Sequence, residues 1–223
     1  MSLMIMPETP KEIVRLLKEY RGLTFDARKR QLKGKVDIIN KNNPELGALD
    51  SFSLLIKLSD QSNLHFPKVY ETAGTIPREG DRHINSDGSM CLAVPPEEAR
   101  ICRRGITLLK FFEEVLIPFL AVQSAINKKL ITSFPQGEYG HGDEGVLEFY
   151  QQLFRTQNMA TIVKGINTLV KKQLSRNEPC FCGSNQKAKN CHNQAYIFLK
   201  SYPPALLLSD LQVINSINTD PLL

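Results

Sequence analysis

Apolar positions along the 223-residue chain change their rhythm several times. Over residues 8 to 20, Ile13, Val14, Leu16 and Leu17 fall on one side among Lys11, Glu12, Arg15, Lys18 and Glu19, the spacing of an amphipathic opening helix. Strand-length apolar runs follow at "VDIIN" (36–40) and "FSLLIKLS" (52–59), then at "NLHFPKVYETAG" (63–74) with Pro67 at a strand edge. Together they predict a short antiparallel meander. Helical spacing returns over residues 105–130, where Pro118 should kink the helix or split it in two. A glycine-rich acidic loop, "SFPQGEYGHGDEG" (133–145), leads into a further helix over 146–174 that ends in a basic turn. The fold class expected is α+β, with helices on a meander and a small cysteine-rich C-terminal module.

Composition narrows the class without naming it. Hydrophobic residues make up 42% and charged residues 23%, as in ordinary soluble proteins. The net charge of +5 is mild and spread along the chain, so nucleic acid is not indicated. The start "MSLMIMPETPKEIVRLLKEY" lacks the basic, apolar and small-residue regions of a signal peptide, and no apolar run approaches the roughly 20 residues that span a bilayer. A cytoplasmic protein with no membrane contact is expected. In a reducing compartment the five cysteines point to metal binding or chemistry before disulfides.

Four of the potential ligands cluster in "CFCGSNQKAKNCH" (180–192): Cys180, Cys182, Cys191 and His192. Three thiolates and an imidazole complete a tetrahedral zinc shell and leave no position for water. One structural Zn2+ per chain is therefore expected, supplying much of the folding energy of a module too small for its own core. The stretch "RNEPCFCGSNQKAKNCH" resembles the SEC-C motif, a zinc-binding interaction tail. That resemblance implies the metal and not an activity.

The second candidate lies in "DRHINSDGSMCLAVPPEE" (81–98). Cys91 is partly thiolate at neutral pH and so a competent nucleophile, and a nearby imidazole could donate to an oxyanion or tune the thiol. The same residues suit a buried structural cysteine equally well. The order of opening helix, meander, "FPKV" (66–69), loop, "DGSMCL" (87–92) and helices resembles the ubiquitin-conjugating enzyme fold. The resemblance implies a conjugating-enzyme-like domain over residues 1–155, a helical connector over 156–176, and the SEC-C-type module and tail over 177–223. It makes Cys91 the thioester nucleophile. The family's His-Pro-Asn triplet falls on Asp81-Arg82-His83, which puts His83 in the place of the oxyanion-stabilising asparagine; Asn85 is two residues too close and reads as a turn residue. "FPQGEYGHGDEG" is similar to a Gly-Glu-x-x-His-Gly element of bacterial relatives, and would bring His141 to an active-site loop together with Asp87.

The partners implied are an activating enzyme and either a ubiquitin-like protein or the C-terminus of a nucleotidyltransferase, in an antiphage setting of cyclic-oligonucleotide signalling. No nucleotide-binding glycine motif is present in this chain, so ATP would be used upstream. The alternatives are a non-catalytic binding module of the same fold, a cysteine hydrolase using Cys91 with His83 or His141, and a passive scaffold recruited through the zinc tail. Cys102 reads as packing and His65 as a half-buried sheet residue. Asp81, Arg82 and Asp87 read as a solvated charged turn, and His141 reads first as a cap of the following helix and only second as an active-site residue.

Overall fold

The computed structural model describes residues 10–40, 43, 45, 47–60, 63–135, 139–140, 142–171 and 175–219. They pack as two units, residues 1–93 with 101–138 and residues 94–100 with 139–223.

In the first unit, α1 (Pro10–Glu19) buries Ile13 and Leu16. Val14 instead stands 53% exposed, so the buried stripe is narrower than the sequence implies. Four strands follow as a meander: β1 (Leu23–Asp26), β2 (Gln31–Ile39), β3 (Ala48–Lys57) and β4 (Lys68–Glu71), each antiparallel to the last and adjacent in sequence order. Alternation along β3 turns Phe52, Leu54 and Ile56 inward, and Leu32 and Val36 on β2 join them. Pro67 immediately precedes β4, where its missing N–H breaks no ladder bond. β1 was not anticipated: four residues of mixed polarity carry too little alternation to read. Its turn is closed by the Asp26 carboxylate, which accepts from the backbone N–H groups of Arg28 and Lys29 at 3.0 and 3.1 Å. His65 is half-buried but lies in the segment before β4, not in a strand.

Gly34 adopts φ +146°, and a Cβ there would sit 2.0 Å from the carbonyl oxygen of Gly22. That carbonyl accepts from the N–H of Lys35 at 3.0 Å, so the two chains cannot separate without losing the bond. Gly34→Ala should destabilise this unit by about 2–4 kcal/mol, read as a lower urea midpoint at unchanged slope.

The sheet packs under one long helical run: α3 (Leu108–Phe111), a π-helical turn (Phe112–Leu116) and α4 (Ile117–Asn127). Phe111, Phe112, Leu116 and Leu120 are buried with the strand residues in one core, together with Cys102. Pro118 neither splits the run nor ends it. The widened turn directly before it takes up the missing N–H, a common setting for proline within a helix. α2 (Pro95–Arg103) contributes residues to both units.

In the second unit the helix expected over 146–174 is two helices, α5 (Gly142–Phe154) and α6 (Met159–Lys171). The chain reverses at Arg155, which has φ +52°. Asn158 then caps α6, its side-chain oxygen accepting from the N–H of Thr161 at 3.0 Å. Two more helices, α8 (Asn193–Ser201) and α9 (Pro204–Thr219), follow the short α7 (Ala188–Cys191) and pack on α5 and α6. Phe149, Tyr150, Phe154, Ile162, Phe198 and Ile214 are buried. Residues 139–155, grouped by sequence with the conjugating-enzyme-like domain, pack with this second unit.

Within that core lies a carboxylate, Asp210 on α9, only 5% exposed. The Tyr150 hydroxyl donates to it at 2.8 Å and Tyr202 also bonds to it, yet burial outweighs both and lifts its pKa to about 6. Because the folded value exceeds the unfolded one, this group's contribution to stability is complete below about pH 4 and is lost as pH rises through 6. Wild type measured against Asp210→Asn should therefore lose about 1 kcal/mol of relative stability between pH 5 and pH 7. The difference between the two proteins, followed by denaturant melts at each pH, removes any pH dependence they share.

Candidate functional site

Residues 83–91 form a miniature hairpin. Ile84 and Met90 bridge antiparallel, the Asn85 N–H donates to the Ser89 carbonyl at 2.8 Å, and the Gly88 N–H returns to the Asn85 carbonyl at 2.8 Å. Gly88 turns the chain with φ +81°. At the open end the Cys91 N–H donates to the carbonyl of His83 at 2.8 Å, so the two residues of interest are backbone neighbours. Both are half-buried. Met90 ties the hairpin to the sheet through its N–H and the Val69 carbonyl, 2.8 Å.

The side chains of Lys68, Asn85, Asp87 and Ser89 stabilise the turn. Asp87 accepts from Lys68 Nζ at 2.8 Å, and from the Ser89 hydroxyl at 2.5 Å and backbone N–H at 2.9 Å. These bonds, led by Lys68, hold its carboxyl well below the usual carboxylate range. Asp87 is thus committed as an anion to shaping the loop. Asn85 is a turn residue, its amide donating to Ser89 Oγ at 3.0 Å.

His83 has φ +50°, in the left-handed region that a side-chain-bearing residue enters only when its surroundings impose it. Its ring packs on Phe134 with centroids 4.2 Å apart, and Phe134 packs in turn on Phe119 at 5.5 Å. Before it, residues Gly80–Arg82 make a 3-10 turn, and Arg82 is no solvated turn residue. Its guanidinium donates to Gln123 Oε1 through Nε at 2.9 Å and Nη2 at 2.6 Å, and to Asn127 Oδ1 at 2.7 Å. Gln123, fully buried on α4, donates back to the Arg82 carbonyl at 2.7 Å. Sequence reading missed Gln123 and Asn127. A buried glutamine on an apolar helix face was the available signal, and only the fold reveals its partner. His141 lies outside the described residues.

In the second unit Cys180, Cys182, Cys191 and His192 bring their donor atoms within 4.8 Å of one another. Cys180 Sγ stands 3.3 Å from His192 Nδ1, Cys191 Sγ 3.2 Å from the same nitrogen, and Cys182 Sγ 3.5 Å from Cys191 Sγ. Edges of a tetrahedron built on zinc–sulfur and zinc–nitrogen bonds measure about 3.5–3.8 Å, so the set fits with little movement. The local chain explains the convergence. Pro179 bridges Lys187, the Cys180 N–H donates to the Gln186 carbonyl at 2.7 Å, and Gly183 turns with φ +83°. α7 then presents Cys191 at its end.

The imidazole is fixed by its other nitrogen. His192 Nε2 lies 2.8 Å from the Phe154 carbonyl oxygen at the end of α5. A carbonyl only accepts, so Nε2 carries the proton and the Nδ1 lone pair faces the sulfurs, the arrangement in which an outer partner orients a metal ligand. Burial opposes ionisation at both Cys180 and Cys182. At Cys182 hydrogen bonds from the Ser184 side chain and backbone outweigh it and lower the pKa, while at Cys180 burial prevails and raises it. Phe181, between two ligands, is buried against Phe154 at 5.1 Å, and both rings meet Gly165 of α6, where a Cβ would sit 2.2 Å from Phe154. The cluster is therefore built into the helical unit.

Comparison with known proteins identifies a SEC-C motif at residues 176–194, spanning all four ligands. No curated protein and no solved structure matches the chain. The Cys3His donor set suggests a metal, and its composition suits zinc. Among the described residues no helix is long and apolar enough to cross a membrane.

Proposed function

We propose that this chain is a ubiquitin-conjugating-like acyltransferase whose nucleophile is Cys91, with one structural zinc in its SEC-C motif. The observation that carries the reading is the closed hairpin that sets the Cys91 backbone against that of a left-handed His83, both half-buried, immediately after a four-stranded meander. The order of α1, meander, cysteine hairpin and helical cover supports a conjugating-enzyme-like fold.

In the reaction, the Cys91 thiolate attacks the C-terminal carbonyl of a protein modifier held as a thioester on an activating enzyme. The new carbon–sulfur bond forms as the activating enzyme's thiolate leaves. An amine then attacks the Cys91 thioester, loses its proton to solvent or to His83, and expels the Cys91 thiolate to leave an amide. In both tetrahedral intermediates the His83 imidazole N–H donates to the oxyanion. Modifier candidates are a ubiquitin-like protein or a nucleotidyltransferase C-terminus in an antiphage system. A metal held by Cys180, Cys182, Cys191 and His192 would order the second unit, with no part in these steps.

Incubation with the activating enzyme of the same gene neighbourhood, ATP and the neighbouring modifier tests the reading on non-reducing gels. A thiol-sensitive adduct at the combined mass is the expected result. Absence of an adduct, with peptide cleavage blocked by Cys91→Ser, would overturn it in favour of a hydrolase.

A further inference from the structure

The Arg82–Gln123–Asn127 cluster does something that packing alone does not require. Gln123 accepts two bonds from the guanidinium of Arg82 and returns one to that residue's own backbone carbonyl. The carbonyl belongs to the peptide plane that joins Arg82 to His83, so fixing it constrains the φ of His83. That φ is +50°, in the left-handed region, which costs a side-chain-bearing residue free energy and which its surroundings must hold in place. Asn127 adds a second fastening, accepting from Arg82 at 2.7 Å and donating to the Thr75 carbonyl at 3.1 Å, and so pins the start of the same loop to α4. Downstream, the carbonyl of His83 receives the N–H of Cys91.

We propose that Gln123 is a positioning residue of the Cys91 site, acting through Arg82 to hold His83 in the geometry that serves acyl transfer. This rests on the reading of Cys91 as an acyl-accepting nucleophile. Gln123 touches no reacting atom. A misplacement of about 1 Å in an aligned donor can slow a reaction by about 100-fold.

Gln123→Glu separates the two arms of the clamp. It keeps an acceptor for the guanidinium and removes the donor to the Arg82 carbonyl. Two rates are measured on the full chain by intact mass. One is acylation of Cys91 by a short peptide ending in a glycine thioester of mercaptoethanesulfonate, which passes through an oxyanion. The other is alkylation of the same thiol by iodoacetamide, which does not. Gln123→Glu is expected to lower the first by about tenfold or more and to leave the second within about twofold. Asn127→Ala, an exposed change, should act in the same direction with smaller size. His83→Ala combined with Gln123→Glu should be no slower than His83→Ala alone, because the clamp acts through that ring. Unchanged acylation in Gln123→Glu, an equal fall in both rates, or additive losses in the double variant would each overturn the proposal. Should Gln123→Glu fail to fold, Asn127→Ala carries the same comparison. If the wild-type protein alkylates at Cys91 but accepts no acyl group there, the underlying reading fails and takes this inference with it, an outcome distinct from a silent Gln123.

Discussion

Cys91→Ala is expected to abolish the thiol-sensitive adduct, with acyl transfer reduced by about 10^4-fold or more, because the variant retains no nucleophile at the end of the hairpin. The fold should survive. The backbone N–H that Cys91 donates to the His83 carbonyl is kept by alanine and serine alike. The side chain is only half-buried, so the stability change should stay near about 1 kcal/mol. Cys91→Ser is the more informative variant. A hydroxyl is a poorer nucleophile, but the oxygen ester it forms resists both thiols and amines, so a slow, thiol-resistant adduct should accumulate. Intact mass after treatment with reductant distinguishes the three proteins. A thiol-sensitive adduct persisting in the alanine variant would move the nucleophile to another cysteine. Cys102 is 2% exposed in the core and is a poor substitute.

Removing the metal should have the largest effect on stability. Chelation at neutral pH, or Cys180→Ser with Cys182→Ser, is expected to release about one equivalent of zinc and to destabilise the second unit by about 5–10 kcal/mol. The reason is the depth of the attachment. His192 is held by the Phe154 carbonyl, and Phe154 and Phe181 pack together against Gly165 of α6, so loosening the ligands disturbs the contact between α5 and α6. Metal analysis and near-ultraviolet circular dichroism of the buried Tyr150 and Phe154 environment would follow the loss together. The apolar core of the first unit contains none of these residues and should keep its own melting transition. A second unit that still melts cooperatively after stoichiometric chelation would show that the helices suffice without metal.

Sequence alone revealed the periodic parts of this molecule and the local ones. The opening helix, β2, β3 and the long helix at 105–130 announce themselves through repeated apolar spacing, and the four ligands lie within 13 residues of each other. What stayed hidden depended on tertiary partners or on short polar signals. β1 has four residues, and only pairing with β2 over Leu23↔Gly34 to Asp26↔Gln31 makes it a strand. The break between α5 and α6 is carried by Thr156 and Asn158, whose capping role competes with a strong helical background. α8 and α9 look like a tail in the sequence because their apolar residues serve a core that the preceding helices complete. Around Cys91 only the Gly88-Ser89 turn is visible in the sequence; the hairpin it closes comes from the fold, and the clamp from Gln123 spans 41 residues of chain and has no local signature.

The π-helical turn at Phe112–Leu116 sets the angular phase of everything after it. Each residue of an α-helix advances by about 100°, and a π turn accommodates one residue more than an α turn in the same rise. With that extra residue taken up, Phe111 before the turn, Phe112 and Leu116 within it, and Leu120 and Gln123 after it are all buried. In an uninterrupted α-helix of the same number of residues, Gln123 would stand about 100° further around the axis and its amide would leave Arg82. The wide turn thus acts as a phase shifter, aligning a polar group from α4 with the loop that carries His83.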